Sequence, residues 1–159
     1  MDKSLESPLP ATRERPCLEL ERHYPVAPEK VWRAWTDPQV LSVWFGPGDV
    51  NSVLRAELDV RVGGRFDIAF RMQDGVVHAV GGMYRVVERP RRLVFSWAWH
   101  STPERESQVS VTLHAEGGGT RMAFLHEQFV DQQARDDHEG GWVPTFDKLA
   151  QLLAPASRR

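Results

Sequence analysis

His126 is the residue in this sequence that is best suited to acid–base chemistry. It follows Met122 and Phe124 with a period of two, so the three side chains share one face of a predicted strand. If that face is the inner one, the imidazole can serve as a polar anchor for a ligand or as a general base near neutral pH. The alternative is a histidine that is hydrogen-bonded in the core or at its rim. Tyr84 and His78 are the other groups that such chemistry could use.

The segment from Asp136 to Glu139 contains three carboxylates and one imidazole, a combination that could bind a metal ion. The zincin pattern, however, requires a second histidine four residues after His138, and that position is Trp142. Four consecutive side chains also cannot all face one ion on a helix. We therefore predict neither a metal site nor a cofactor. We interpret the segment as negative charge ahead of a helix N-terminus or as a solvated helix face.

Aromatic side chains are better candidates for a ligand site, because they can form a flat apolar wall. Phe95, Trp97 and Trp99 alternate along one predicted strand and share its inward face with Leu93. Ordinary core packing is the competing interpretation, since aromatic stripes are commonly core. A ligand cavity would have a volume of roughly 300–1,000 Å³. The candidate cavity residues are Trp44, Phe45, Phe66, Phe70, Tyr84, Phe95, Trp97, Trp99, Met122, Phe124, His126, Trp142 and Phe146.

Two adjacent aromatic residues, Trp44 and Phe45, stand directly before the helix-breaking segment Gly46-Pro47-Gly48. Neighbouring residues on a helix are roughly 100° apart around its axis, so the two side chains cannot point the same way. We predict that one of them packs in the core while the other lies nearer the mouth of the cavity.

The period of the hydrophobic pattern predicts the elements that position these residues. Segment 17–24 alternates apolar and polar residues and predicts a strand. Segments 27–37 and 38–45 predict two short helices, each with a proline in its first turn and the second capped by Asp37. The period then returns to two and predicts five or six antiparallel strands, over 49–60, 65–72, 76–88, 93–100, 109–114 and 122–127.

The end of the chain has a helical period. Trp142, Phe146, Leu149 and Leu153 form one apolar stripe, which predicts a long amphipathic helix that stops at Pro155. A sheet with one apolar face must cover that face, and only this helix is long enough to do so. The expected fold is α+β, with a curved antiparallel sheet of about six to seven strands wrapped round the C-terminal helix and two short helices after the first strand.

Length and composition are those of one globular domain. The chain has 159 residues, of which 41% are hydrophobic and 26% charged, and its formal net charge is −2. This near-neutral balance predicts no nucleic-acid binding, and the absence of a long apolar run predicts no membrane insertion. A single cysteine, Cys17, cannot form an internal disulfide, which favours a cytoplasmic protein. We predict a disordered N-terminal tail over 1–16 and a single domain over 17–155.

Five segments of the sequence, in the order in which they occur, resemble one known family. They are APEKVWRAWTDPQVLSVWFGPG, GGRF, ERPRRLVFSW, TRMAFLHEQF and HEGGWVPTFDKLAQLL. Together they resemble the family of homologues of the activator of the heat-shock-protein-90 ATPase, within the START-like (SRPBCC) helix-grip superfamily. The resemblance spans about residues 17–154 and implies a helix-grip fold with a cavity. It does not imply one reaction, because such folds host ligand carriers, enzymes and co-chaperone modules.

Two features of the chain depart from the family pattern. The eukaryotic activators carry a separate N-terminal domain that makes the main chaperone contact, whereas only about sixteen residues precede the first predicted strand here. We therefore do not expect this chain to activate a chaperone by that route. Relatives also have an unbroken last helix, but Pro144 removes an N–H and clashes with the Gly140 carbonyl. The helix is expected to begin near Gly141 or to kink at the proline.

Three functions remain open at this stage. The first is a binder of a lipid-like, aromatic or polyketide-like small molecule, which the predicted cavity and its aromatic residues favour. The second is an enzyme that acts on an apolar substrate through His126, Tyr84 or His78. The third is a partner-binding module, for example one that contacts a chaperone or takes part in a stress response. The protein is expected to be a monomer or a homodimer. We rank non-catalytic binding first, since few titratable groups are predicted to converge.

Overall fold

The computed structural model describes residues 15–154. Most of the predicted tail, and the predicted helix stop at Pro155, lie outside the described residues. The elements follow in the order β1 (Leu18–Tyr24), α1 (Pro28–Thr36), α2 (Pro38–Trp44), β2 (Val53–Leu58), β3 (Arg65–Arg71), β4 (Val77–Glu88), β5 (Arg92–Trp99), β6 (Ser107–Glu116), β7 (Gly119–Glu127) and α3 (Gln132–Leu153).

The seven strands form one antiparallel sheet with the order β1-β7-β6-β5-β4-β3-β2. Each strand from β2 to β7 pairs with its neighbour in sequence, and β1 pairs with β7. One face of the sheet carries the apolar residues and packs against α3. The predicted helix-grip α+β fold is confirmed. The sheet has seven strands, the higher of the two numbers expected.

Gly82 permits the close approach of β4 and β5. A Cβ atom added at Gly82 would lie 1.9 Å from the carbonyl oxygen of Ser96, so no side chain fits there. Met83 N–H donates to the Ser96 hydroxyl on the same strand pair, at 2.9 Å. The register of the pair shifts between Tyr84 and Val86. Gly82 therefore marks a close approach of the two strands, and the register irregularity follows it along β4.

The two short helices form as the sequence predicts. Each begins at a proline, whose missing N–H would have no partner in the first turn. The Asp37 side chain accepts from the Gln39 N–H at 2.9 Å, which confirms the predicted cap of α2. Between the helices, the Trp44 indole N–H donates to the Ala34 carbonyl at 3.0 Å. This bond fixes the orientation of α2, and with it the segment that leads into the sheet.

Helix α3 begins well before Gly141, which was the start in one of the two alternatives predicted for it. Asp131 caps it by accepting from the Ala134 N–H at 2.8 Å, and the helix then runs from Gln132 to Leu153 with Pro144 inside it. The prediction of a start near Gly141 is therefore wrong. Gly140 is exposed, so water can reach the carbonyl that the proline leaves without a helical donor.

The early start of α3 also corrects the interpretation of the acidic segment as charge ahead of a helix. Residues 136–139 lie inside α3, in its second and third turns. Asp136 accepts from Gln132 at 2.9 Å, and Arg135 bonds to both Asp136 and Glu139. These carboxylates are held by pairing along the helix surface.

The core lies between α3 and the sheet, with Trp35 of α1 near its centre. The predicted apolar stripe of α3 is buried, which confirms that the helix is amphipathic. Its residues are Trp142, Phe146, Leu149 and Leu153. Ring centroids within 6.5 Å of Trp35 belong to Trp44, Phe95, Phe124, Trp142 and Phe146. Such ring pairs add stabilisation beyond the burial of their area. Among residues 15–154, no helix is long and apolar enough to cross a membrane.

Candidate ligand cavity

A cavity of about 550 Å³ opens to solvent at one end of the sheet. It lies between the first half of α3, the segment after α2 and the loop between β5 and β6. Its apolar lining includes Phe45, Phe70, Met72, Trp97, Trp99 and Trp142. The volume falls within the range of roughly 300–1,000 Å³ that is usual for small-molecule sites.

The structure divides the predicted cavity residues into two groups. Five of them line the cavity, namely Phe45, Phe70, Trp97, Trp99 and Trp142. The other eight are buried away from it, namely Trp44, Phe66, Tyr84, Phe95, Met122, Phe124, His126 and Phe146. A void of only about 10 Å³ remains beside the Phe66–Tyr84–Phe95 cluster, which is about enough for one water molecule. Between the helix and the sheet, the space large enough for a ligand is therefore at the open end.

Trp44 and Phe45 point in different directions, as adjacent residues at a helix end must. Trp44 is fully buried, and its indole is 5.0 Å from that of Trp35. Phe45 is also buried, but its ring lies beside Phe70 and Trp97 and borders the cavity. The division into a core residue and a residue near the mouth thus matches their positions.

Lys148 holds the backbone that follows Phe45. Its ammonium donates to the carbonyls of Gly46 and Gly48, both at 2.5 Å, from the second half of α3. Burial lowers the pKa of Lys148, while Asp49 acts in the opposite direction. Gly46 has a φ of +91°, a conformation that favours glycine. The bonds fix the segment that carries Gly46 and Pro47, which form one side of the cavity mouth.

His138 lies in the cavity lining, although sequence reasoning placed it on a solvated face. Its Nε2 accepts from the indole N–H groups of Trp99 at 3.0 Å and Trp97 at 3.3 Å. Its Nδ1 lies 2.7 Å from the Ala134 carbonyl and must therefore carry the proton. A sequence signal did exist, because His138 stands four residues before Trp142 and extends the buried stripe by one turn.

His126 is fully buried behind the cavity and has partners on both nitrogens. Its Nδ1 accepts from the Trp142 indole N–H at 3.1 Å, so Nε2 carries the proton and donates to the Ser107 hydroxyl at 2.8 Å. Ser107 in turn donates to the Trp97 carbonyl at 3.4 Å. Ser107 is a residue that sequence reasoning missed. The arrangement makes His126 a hydrogen-bonded core histidine, the alternative to a free base.

Both imidazoles are held neutral by their surroundings. Burial lowers the pKa of His126 well below its usual value of 6.5, and the nearby His138 lowers it further. Burial also lowers the pKa of His138, although the Ala134 carbonyl and Asp137 act against this shift. Protonation of either ring would place a second ring N–H against an indole N–H, which leaves two donors facing each other. The hydrogen bonds and the pKa shifts therefore both indicate neutral imidazoles.

The remaining acid–base candidates do not meet in the cavity. Burial raises the pKa of Tyr84, whose ring packs against Phe66 and Phe95 in the core. His78 lies at the cavity rim, 6.0 Å from the Trp99 ring and 6.2 Å from the Phe70 ring. Within the described part of the chain, no group of three or more His, Cys, Asp or Glu side chains could hold a metal ion.

The sheet, the enclosed helix and the aromatic core define a helix-grip protein. Residues 25–154 match the family described as Activator of Hsp90 ATPase homolog 1-like protein. The match covers most of the chain, and the protein belongs to this family. The resemblance predicted from the five sequence segments is thereby confirmed. Among curated proteins, none matches the chain.

Solved structures from several organisms share this fold. Protein CV1439 from Chromobacterium violaceum is 26% identical, with a TM-score of 0.78 over 88% of this chain and 98% of that one. The AHSA1 protein from Silicibacter pomeroyi is 29% identical, with a TM-score of 0.75 over 87% and 97% of the two chains. CalU16 from Micromonospora echinospora is 27% identical, with a TM-score of 0.65 over 87% and 76%.

Proposed function

We propose that the protein binds a small apolar molecule, lipid-like, aromatic or polyketide-like, in the cavity beside the first half of α3. The observation that carries the proposal is the aromatic lining of an open space of about 550 Å³. The ring centroids of Trp97 and Trp99 are 5.4 Å apart, and the two ring planes are nearly perpendicular. Together with Trp142, these rings offer faces and edges to a flat ligand.

The state of the polar groups favours binding over acid–base catalysis. A general base must have a free lone pair within hydrogen-bond reach of the substrate and a pKa near the working pH. His126 and His138 have every ring nitrogen engaged and pKa values below the usual range. Tyr84 lies in the core, whereas His78 lies at the cavity rim. No two of the three proposed catalytic groups face the same space.

Filling the cavity from α3 gives a direct test. A Cβ atom at Gly141 would meet only the Pro47 side chain, at 3.9 Å, and both residues line the cavity. Gly141→Phe should therefore place a ring in the ligand space, while the helix gains from the loss of a glycine. Gly141→Ala is the matched control, since it also replaces the glycine by a better helix former and leaves most of the space open.

The probe is the neutral naphthalene dye prodan, followed by its own fluorescence and by quenching of tryptophan. We expect the unmodified protein and Gly141→Ala to bind the dye, and Gly141→Phe to bind it at least about tenfold more weakly, a change of about 1.4 kcal/mol. Thermal unfolding of the three proteins checks that each is folded. Equal binding by all three, or no binding by the unmodified protein, would contradict the proposal.

A further inference from the structure

Several hydrogen-bond acceptors of the cavity already have a partner within the protein. His138 Nε2 accepts from two indoles, and the Asp137 carboxylate accepts from the Gln133 amide at 2.9 Å. The Asp131 carboxylate caps α3 by accepting from the Ala134 N–H. Each carboxylate also has a second oxygen, so some acceptor capacity remains on the helix side of the cavity.

Hydrogen-bond donors without a partner in the described part of the chain, in contrast, lie at the loop between β5 and β6. Arg105, Ser101 and Thr102 all line the cavity. Within residues 15–154, their side chains make no hydrogen bond or ion pair with the protein, although the Arg105 backbone N–H bonds to the Thr102 carbonyl at 3.0 Å. This backbone bond closes the turn, so one guanidinium and two hydroxyls are presented from a single tight loop.

A further donor is only partly satisfied at the inner wall. Trp97 and Trp99 both direct an indole N–H at the single Nε2 lone pair of His138, at 3.3 and 3.0 Å. One lone pair aligns well with one donor, so the longer bond from Trp97 is the weaker. Trp97 and the β5–β6 loop therefore present donors without a full partner, and Arg105 adds a positive charge to them.

We infer that the ligand is an apolar carboxylic acid, whose carboxylate binds Arg105 with the Ser101 and Thr102 hydroxyls while its apolar body packs on Trp97 and Trp99. This inference rests on the proposed function and names the chemical class of the ligand. A guanidinium matches a carboxylate in geometry, with two parallel N–H bonds, and hydroxyls can donate to the remaining lone pairs.

The charges at the mouth also favour one orientation of such a ligand. Asp131 caps α3 and Asp137 lies within it, whereas Arg105 belongs to the β5–β6 loop. A carboxylate is repelled by Asp131 and Asp137 and attracted by the Arg105 guanidinium. The rim histidine His78, on β4, is not an acidic group and does not oppose this orientation.

The test compares naphthoic acid with naphthamide, which has the same ring but no charge. Dissociation constants are measured by tryptophan quenching near pH 7.5, for the unmodified protein, Arg105→Gln and the control Arg91→Gln. Arg91 is exposed and does not line the cavity. We expect the unmodified protein and Arg91→Gln to prefer the acid by about five- to tenfold, a modest factor because the rim is exposed to water. Arg105→Gln should lose this preference and bind the amide unchanged.

The outcomes separate this inference from the proposed function. If the amide binds as well as the acid, or if Arg105→Gln keeps the preference, the carboxylate assignment is overturned while binding of apolar molecules stands. If naphthoic acid, naphthamide and prodan all fail to bind, the proposed function fails and the assignment fails with it. Loss of the preference in Arg91→Gln as well would show a general charge effect and would also overturn the assignment.

Discussion

Replacing His126 by glutamine should remove a specific part of the acid sensitivity of the fold. The pKa of His126 is lowered well below 6.5 in the folded protein, so the folded state keeps a neutral ring at a pH where the unfolded chain is protonated. Stability from this group is therefore fully present above about pH 6.5 and declines as the pH falls below that value toward the folded pKa.

The magnitude follows from the proton that only the unfolded state binds. One unit below the unfolded pKa of 6.5, a group that stays neutral when folded lowers the free energy of unfolding by about 1.4 kcal/mol. His138 contributes with the same sign but less, because the Ala134 carbonyl and Asp137 partly favour its charged form. The glutamine in His126→Gln can still accept from Trp142 and donate to Ser107, so the core hydrogen bonds are retained.

The assay is urea unfolding at about pH 7.5 and about pH 5.5, followed by tryptophan fluorescence. The unmodified protein should lose about 1.4 kcal/mol more between the two pH values than His126→Gln does. His114→Gln, which replaces an exposed histidine, should behave like the unmodified protein. Equal losses in the unmodified protein and His126→Gln would refute the assignment of a buried, neutral His126.

Two further pairs of substitutions test how the cavity mouth is held. Trp44→Ala should lower the free energy of unfolding by about 3–5 kcal/mol, because a fully buried ring and its bond to the Ala34 carbonyl are lost; Phe45→Ala, next to the open cavity, should cost clearly less in the same urea titration. Equal large losses would place both rings in the core alone. Lys148→Met should cost about 1.5–3 kcal/mol through the two loop carbonyls left without a donor, whereas exposed Lys30→Met should cost little; a neutral Lys148→Met would contradict the bonds.

Much of the fold could be predicted because its signals are local. The alternation in β5 and β6, the prolines that begin α1 and α2, and the cap at Asp37 each depend on residues that are close in sequence. The stripe from Trp142 to Leu153 is local in the same sense. The start of α3 was not predicted, because two features oppose the proline, which by itself indicates a helix end. Asp131 caps the helix before the proline, and the Gly140 carbonyl that loses its helical donor is exposed to water. Only the folded helix shows that these two features prevail.

The polar network could not be predicted, because its partners are distant in sequence. His126 bonds to Ser107 on the adjacent strand and to Trp142 on the helix, and His138 reaches two indoles on β5. No periodic pattern connects these positions. Sequence reasoning could name His126 as a candidate but could not choose between a base and a core histidine, and it left His138 on the surface.

By itself, the sequence determined the order of the elements, which faces are apolar, and the family to which the chain belongs. These properties depend on the type and spacing of residues along short segments, which any folded arrangement must satisfy. Tertiary structure alone decided where the space is. Whether an inward aromatic residue fills the core, as Phe124 does, or borders an opening, as Trp97 does, depends on how far α3 lies from each part of the sheet. That separation is set by the packing of side chains from several elements at once.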